Sequence, residues 1–256
     1  MYKYSKELEI AISAAIEAGD EIMDVYNNTE DINYEKKSDD SPLTIADKRS
    51  HNKIISFLEE TDINIISEES KAVRYEERRD WEKYWLIDPL DGTKEFIKKN
   101  GEFTVNIALI KKNKPHLGIV YCPTNETLYY NDHEKSVFKK VGDDITTLNK
   151  RKSVNESTEG LRVVVSRSHM SEETSDYVNK LIKPKLISCG SSLKFLYIAD
   201  DRADIYPRFG PTMEWDTGAA HSILNALDIQ VINLDTGREL SYNKENLLNP
   251  YFIIKA

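Results

Sequence analysis

Five apolar runs follow one another between residues 84 and 141: YWLID (84–88), FTVNIALIKK (103–112), HLGIVYCP (116–123), ETLYYN (126–131) and SVFKKV (136–141). They are rich in β-branched and aromatic residues, and turn formers separate them. Hairpin-like spacing of this kind predicts an antiparallel meander. Beyond residue 160 the pattern changes. LRVVVS (161–166), KLISC (185–189), ADIYPR (203–208), IQVINL (229–234) and YFIIK (251–255) read as strands. Between them, SEETSDYVNKLI (171–182), SLKFLYIAD (192–200) and EWDTGAAHSILNAL (214–227) read as helices, with Ser171 as an N-cap. That alternation argues for α/β layering.

Upstream, Leu8, Ile12, Ala15, Gly19, Ile22 and Tyr26 recur at helical steps, with Gly19 placed for close packing. A second helix carries Ile54, Ile55 and Leu58. KKSDDSPLTIAD (36–47) reads as a loop, and INIIS (63–67) as a short strand running into Glu68 and Glu69. The polar stretch 142–160 is the expected boundary. It divides an N-terminal α+β half, residues 1–150, from a C-terminal α/β half, residues 151–256.

A formal net charge of −9 discourages non-specific binding to nucleic acid or anionic lipid, but leaves room for a small anion held by local cations. No apolar run reaches bilayer length, and the N-terminus lacks the apolar core of a signal peptide. Cys122 and Cys189 sit apart among apolar residues and are expected to be buried thiols. These features predict a cytoplasmic protein and leave peripheral association with the inner membrane open. They predict neither a transmembrane segment, a nucleic-acid polymer, nor an obligate protein partner.

The run DPLDGT (88–93) closes the YWLID strand with two acids, a proline and a glycine. Turn chemistry accounts for these residue types. Metal chemistry also does. Pro89 fixes its own φ and keeps Asp88 out of helix, so the turn can aim Asp88, the Leu90 carbonyl and Asp91 at one point. Ser67-Glu68-Glu69 is a second acidic strand end, and strand ends meeting at one edge form the usual site of an α/β sheet. The donors are all oxygen, which favours Mg²⁺, Mn²⁺ or Ca²⁺ over zinc. Two carboxylates 4 Å apart repel by about 4 kcal/mol at an effective dielectric of 20. The alternatives are a cation, a protonated acid, or acids that do not cluster. Gly92 and Thr93 precede KEFIKK, a candidate short helix whose amides suit an anion.

Glu68-Glu69, DPLDGT and WDTGAA (215–220), in this order, resemble the inositol monophosphatase superfamily of Mg²⁺-dependent, lithium-sensitive phosphatases. KKSDDSPLTIAD, VVVSRSH (163–169) and GSSLKFLYIADDRADIYPRFGPTMEWDTGAAH (190–221) are similar to its bacterial CysQ branch of 3'(2'),5'-bisphosphate nucleotidases. The resemblance implies a layered αβαβα sandwich that hydrolyses adenosine 3',5'-bisphosphate to AMP and phosphate with two, or three, Mg²⁺ ions. It implies that Glu68, Asp88 and the Leu90 carbonyl hold one metal, and that Asp88, Asp91 and Asp216 hold the second. It pairs Asp47 with Thr93, the two orienting the attacking water together with Glu68. Gly92 and Thr93 would bind phosphate oxygens. Ser191, Lys194 and Arg208 would hold the second phosphate, with His169 near the nucleotide.

Other readings are an inositol or sugar-phosphate phosphatase with the same metal site, and a nucleotide sensor or partner-binding protein on the same fold. Asp216 also suits a helix N-terminus by its charge alone, and His221, among Ala219, Ala220 and Ile223, reads as a core histidine.

Overall fold

The computed structural model describes residues 4–29, 32–37, 42–150, 153–167 and 170–256. Helix α1 (Lys6–Asn28) starts at Ser5, whose hydroxyl accepts the Leu8 amide, and buries Leu8, Ala15, Gly19 and Ile22 along one stripe. The segment 36–47 is not the continuous loop its composition predicts. Strand β1 (Tyr34–Lys36) pairs with β2 (Pro42–Thr44), and α2 (Ile45–Leu58) follows at once. The cause is local. Thr44 Oγ1 accepts from the amides of Ala46 and Asp47, while the Thr44 amide and hydroxyl donate to Asp47 Oδ2 at 2.7 and 2.6 Å. This reciprocal cap winds the first helical turn. Asp47 is therefore the third residue of a helix.

Strand β3 (Asn64–Ser67) leads through the single-turn helix α3 (Tyr75–Arg78) to β4 (Lys83–Asp91), which it pairs in parallel. After α4 (Thr93–Ile97), the strands β5 (Thr104–Lys111), β6 (Lys114–Cys122), β7 (Thr127–Asn131), β8 (Val137–Val141) and β9 (Asp144–Leu148) form the predicted antiparallel meander. The last of them lies within the polar stretch expected to be a boundary. Most of its side chains are exposed, so backbone pairing to β8 holds it and no apolar pattern marks it.

The second half gives β10 (Arg162–Ser166), α5 (Glu172–Asn179), β11 (Lys185–Cys189), α6 (Leu193–Ala199), β12 (Ile205–Arg208), α7 (Glu214–Ala226), β13 (Val231–Asn233) and β14 (Phe252–Lys255). Its sheet runs β11-β10-β12-β14-β13, with β10, β11 and β12 mutually parallel. Helix α5 stops at Asn179, three residues short of the predicted end at Ile182.

Alternation along β4 stacks the layers. Trp85 and Ile87 face α1 and α2, in a core with Ala15, Ile22 and Ile54. Tyr84 and Leu86 face the opposite way, into a core shared with Phe195 of α6, Ile223 of α7 and Phe252 of the second sheet. Val163 and Ile205 pack outward against Val178 of α5. The result is the expected α/β sandwich of five layers, αβαβα, with α6 and α7 between the sheets. Among the described residues no helix is long and apolar enough to cross a membrane.

Gly118 sets the spacing between α7 and the meander. A Cβ there would lie 2.0 Å from the Ala219 carbonyl oxygen, so helix and strand backbones are in direct contact. Gly118→Ala must push α7 outward. Overpacking of this kind costs roughly 1–3 kcal/mol, and urea unfolding should show a loss in that range. An unchanged midpoint would mean that α7 adjusts without cost.

Candidate active site

Strand register brings the acids together. Ser67 lies opposite Ile87, and the Glu68 amide extends the ladder to the Ile87 carbonyl at 3.1 Å, so Glu68 leaves the sheet beside Asp88. On the other side of β4, Asp88 pairs with Asn106 and Asp91 with Thr104. The segment through Pro89 and Leu90 thus holds one residue more than β5, a bulge that turns both aspartates off the regular alternation. Proline lacks the N–H that a regular ladder would need there. Ser50 of α2 donates to the Pro89 carbonyl at 2.7 Å, and the Leu90 amide donates to Asp88 Oδ1 at 3.1 Å.

Asp216 arrives from the opposite side, in the first turn of α7. Its Oδ2 accepts the Met213 amide at 2.9 Å, which caps the helix. The buried Glu214 fastens that turn by accepting the amides of Asn243 at 2.7 Å and Lys244 at 3.0 Å. Asn249 Nδ2 adds a bond to the Met213 carbonyl at 2.8 Å.

These groups share one electrostatic environment. Burial first, and then the charges of Glu68, Asp91 and Asp216, push the Asp88 carboxyl well above the ordinary aspartate range. Burial and then Asp91 do the same to Asp216. Burial raises Glu68, against the opposing pull of Lys37. Each acid also has a polar anchor of its own, which for Asp88 is the Leu90 amide. Glu68 pairs with Lys37 Nζ at 2.6 Å, an ammonium that bonds Glu69 at 2.5 Å as well. Burial acts to lower the Lys37 pKa, but the two glutamates more than reverse it. Asp91 Oδ2 accepts the Ser191 hydroxyl at 2.8 Å and the Ser192 amide at 2.5 Å. Among the described residues no three acidic, histidine or cysteine side chains close on a single point. The acids couple through their charges, and Glu68 and Asp88 also lie within hydrogen-bonding reach of each other. Four carboxylates and a neighbouring peptide carbonyl make a hard, all-oxygen donor set, which suits a small divalent cation.

Asp47 and Thr93 meet. Thr93 Oγ1 donates to Asp47 Oδ1 at 3.1 Å and lies 3.2 Å from the Leu90 carbonyl oxygen. Burial raises the Asp47 carboxyl, opposed by the bonds from Thr44. Gly92, before Thr93, has φ +95°, in the left-handed region, and a Cβ there would lie 2.9 Å from the Glu102 carbonyl oxygen.

A cleft of about 520 Å³ runs from Asp91, Gly92 and Asp216 to Ser191, Lys194 and Arg208. Strands β10, β11 and β12 all end at it. Lys194 on α6 is buried, 6.0 Å above the Tyr206 ring, with no carboxylate at ion-pair distance among the described residues. Burial lowers its pKa against the pull of Asp91. Arg208, at the end of β12, donates Nη2 to the Pro211 carbonyl at 2.9 Å, and its Nε is enclosed with no partner among the described residues. Two cationic side chains therefore face one cleft with donor capacity to spare.

Glu68 lines a neighbouring cleft with Met213 and Trp215. His169 lies outside the described residues. His221 is fully buried and bonded to Tyr242 at 2.8 Å and Glu239 at 3.1 Å, as a core histidine should be. Sequence reasoning missed Lys37, Ser192, Thr104, Asn106 and Glu214. Thr104 and Asn106 were within reach, because residues opposite an acidic strand end in a hairpin must face it. The others depend on distant segments.

The sequence matches the inositol monophosphatase family over residues 3–251. It is 44% identical to 3'(2'),5'-bisphosphate nucleotidase CysQ of Salmonella typhimurium, over 96% of this chain and 98% of the relative. It is 42% identical to the protein of the same name from Escherichia coli K12, over the same shares. The fold superposes on the crystal structure of CysQ from Bacteroides thetaiotaomicron with a TM-score of 0.84 and 41% identity, covering 97% of this chain and 96% of the other. An inositol monophosphatase from Thermotoga maritima shares the fold, with a TM-score of 0.78 at 20% identity, covering 98% and 92%.

Proposed function

The chain belongs to the inositol monophosphatase family, and on that premise we propose that it is a Mg²⁺-dependent phosphomonoesterase that hydrolyses adenosine 3',5'-bisphosphate to AMP and inorganic phosphate. The observation that carries this reading is the polarity of the cleft: coupled acids at one end, and at the other a buried ammonium and a guanidinium nitrogen with no partner among the described residues. A nucleotide with two phosphates suits both ends at once.

Glu68, Asp88, Asp91, Asp216 and the Leu90 carbonyl would hold two, or three, Mg²⁺ ions. When bound, such ions supply charge neutralisation for a phosphate dianion and Lewis acidity toward a nucleophilic water. The protein's own groups then orient the reactants, which is the main catalytic task in phosphoryl transfer. Thr93 donates its hydroxyl hydrogen bond to Asp47, so its lone pairs are turned toward a water. Asp47 is fixed in turn by two bonds from Thr44. Glu68 is the second acceptor for that water, and Gly92 and Thr93 bind oxygens of the departing phosphate. Lys194, Arg208 and Ser191 hold the phosphate that stays. Arginine suits this role because its planar fork can give two parallel hydrogen bonds.

Phosphate release from adenosine 3',5'-bisphosphate and from inositol 1-phosphate, with and without Mg²⁺, tests the reading. Preferential, Mg²⁺-dependent turnover of the nucleotide is expected. Faster turnover of the inositol ester would overturn the substrate assignment.

A further inference from the structure

Glu102 stands behind the cleft, between α4 and β5, and does not line it. Its Oε2 accepts the Gly190 amide at 2.8 Å and Arg167 Nε at 2.7 Å, and its Oε1 accepts Arg167 Nη2. The same Nη2 donates to the Ser188 carbonyl at 3.1 Å. Arg167 follows β10 and Gly190 follows β11, adjacent parallel strands that end opposite each other at Ser166 and Cys189. One carboxylate from the meander side thus ties two strand ends of the second sheet.

Backbone contacts close the joint. A Cβ on Gly190 would lie 3.2 Å from the Glu102 carbonyl oxygen and 2.8 Å from Glu95 Cγ. The Glu102 carbonyl also presses on Gly92, so it is wedged between the glycine that precedes Thr93 and the glycine that precedes Ser191. Ser191 itself has φ +54°. The left-handed conformation is unfavourable for a residue with a side chain and persists only where neighbours impose it. In it, Ser191 Oγ and the Ser192 amide both reach Asp91 Oδ2, and Thr104 Oγ1 bonds both serine hydroxyls at 2.7 Å.

We infer that Glu102 is a positioning residue: its bond to the Gly190 amide holds the Ser191 turn in place for the substrate's second phosphate. The inference rests on the proposed reading of the cleft. Loss of one such bond is worth about tenfold in affinity. Glu102→Ala should therefore raise KM for adenosine 3',5'-bisphosphate about tenfold, with kcat little changed. KM for adenosine 3'-monophosphate, which lacks the second phosphate, should rise far less, only as much as the Ser191 turn steadies Asp91. Glu102→Gln keeps an acceptor for the Gly190 amide and gives up the charge and the bond from Arg167 Nη2, whose half-exposed guanidinium can turn to water at little cost. It should restore KM to near the wild-type value. An equal rise for both nucleotides, or a glutamine variant as impaired as the alanine variant, would overturn the inference.

Amide hydrogen exchange gives a readout independent of catalysis. The Gly190 and Ser192 amides should exchange faster in Glu102→Ala and at the wild-type rate in Glu102→Gln. Unchanged exchange in the alanine variant contradicts the role of Glu102. A wild-type protein that hydrolyses neither nucleotide contradicts the reading of the cleft instead, and the exchange rates still decide for Glu102.

Discussion

Asp88→Asn is expected to abolish phosphate release while making the protein more resistant to heat in the presence of a chelator. Asp88 is the acid most enclosed by the others. It is fully buried, and Glu68, Asp91 and Asp216 all act on its carboxyl. If these groups hold Mg²⁺ for catalysis, removing the central charge forfeits several kcal/mol of transition-state stabilisation. At about 1.4 kcal/mol per tenfold, that is roughly a thousandfold or more in rate. Without metal the same charge is a liability, because like charges in a buried site repel strongly. Asparagine preserves the shape and can still accept the Leu90 amide. A chelated Asp88→Asn protein should melt several degrees above the chelated wild type, and added Mg²⁺ should raise its melting temperature less. Substantial Mg²⁺-dependent turnover in the variant would contradict the assignment. A lower melting temperature in chelator would contradict the electrostatic account of the acids.

The second large effect lies at the other end of the cleft. Lys194→Met should raise KM for adenosine 3',5'-bisphosphate by about 10- to 100-fold, the worth of one to two hydrogen bonds to a charged group. Adenosine 3'-monophosphate should be affected far less. The buried ammonium has no ion-pair partner among the described residues, so methionine of similar length should leave the fold intact or stabilise it. Arg208→Ala should show the same selectivity. Equal losses on the two nucleotides would remove these residues from the second-phosphate role. A protein that fails to fold without Lys194 would mean that its charge is structural.

Much of this site could be read from the sequence, for reasons that differ by residue. Asp88 and Asp91 stand out because they close a buried strand, where an unpaired carboxylate is costly, although turn chemistry accounts for the same residue types. The meander was legible because its strands follow one another without crossovers. Asp216, Lys194 and Arg208 came only through family resemblance, since an acid at a helix start or a lysine on a helix has commoner explanations. Asp47 was misjudged as loop because Pro42 and the polar residues before it hid the Thr44 cap. Strand β9 was hidden by its exposed side chains. Lys37 and Glu102 could not be found at all. Each is one charged residue among polar or charged neighbours, and its meaning comes from a partner 31 residues away in Glu68 or 88 residues away in Gly190. The resemblance supplied roles, and strand register and the bulge at Pro89 and Leu90 supplied the geometry.

The central claim is that divalent ions join acids that otherwise repel one another. Anomalous scattering from crystals soaked in Mn²⁺, a Mg²⁺ surrogate visible by its own signal, tests it most directly. The account predicts strong peaks between Glu68, Asp88, Asp91 and Asp216, with the carboxylates drawn together around them. Crystals with no peak there at millimolar Mn²⁺, and the four acids still on their separate donors, would contradict it.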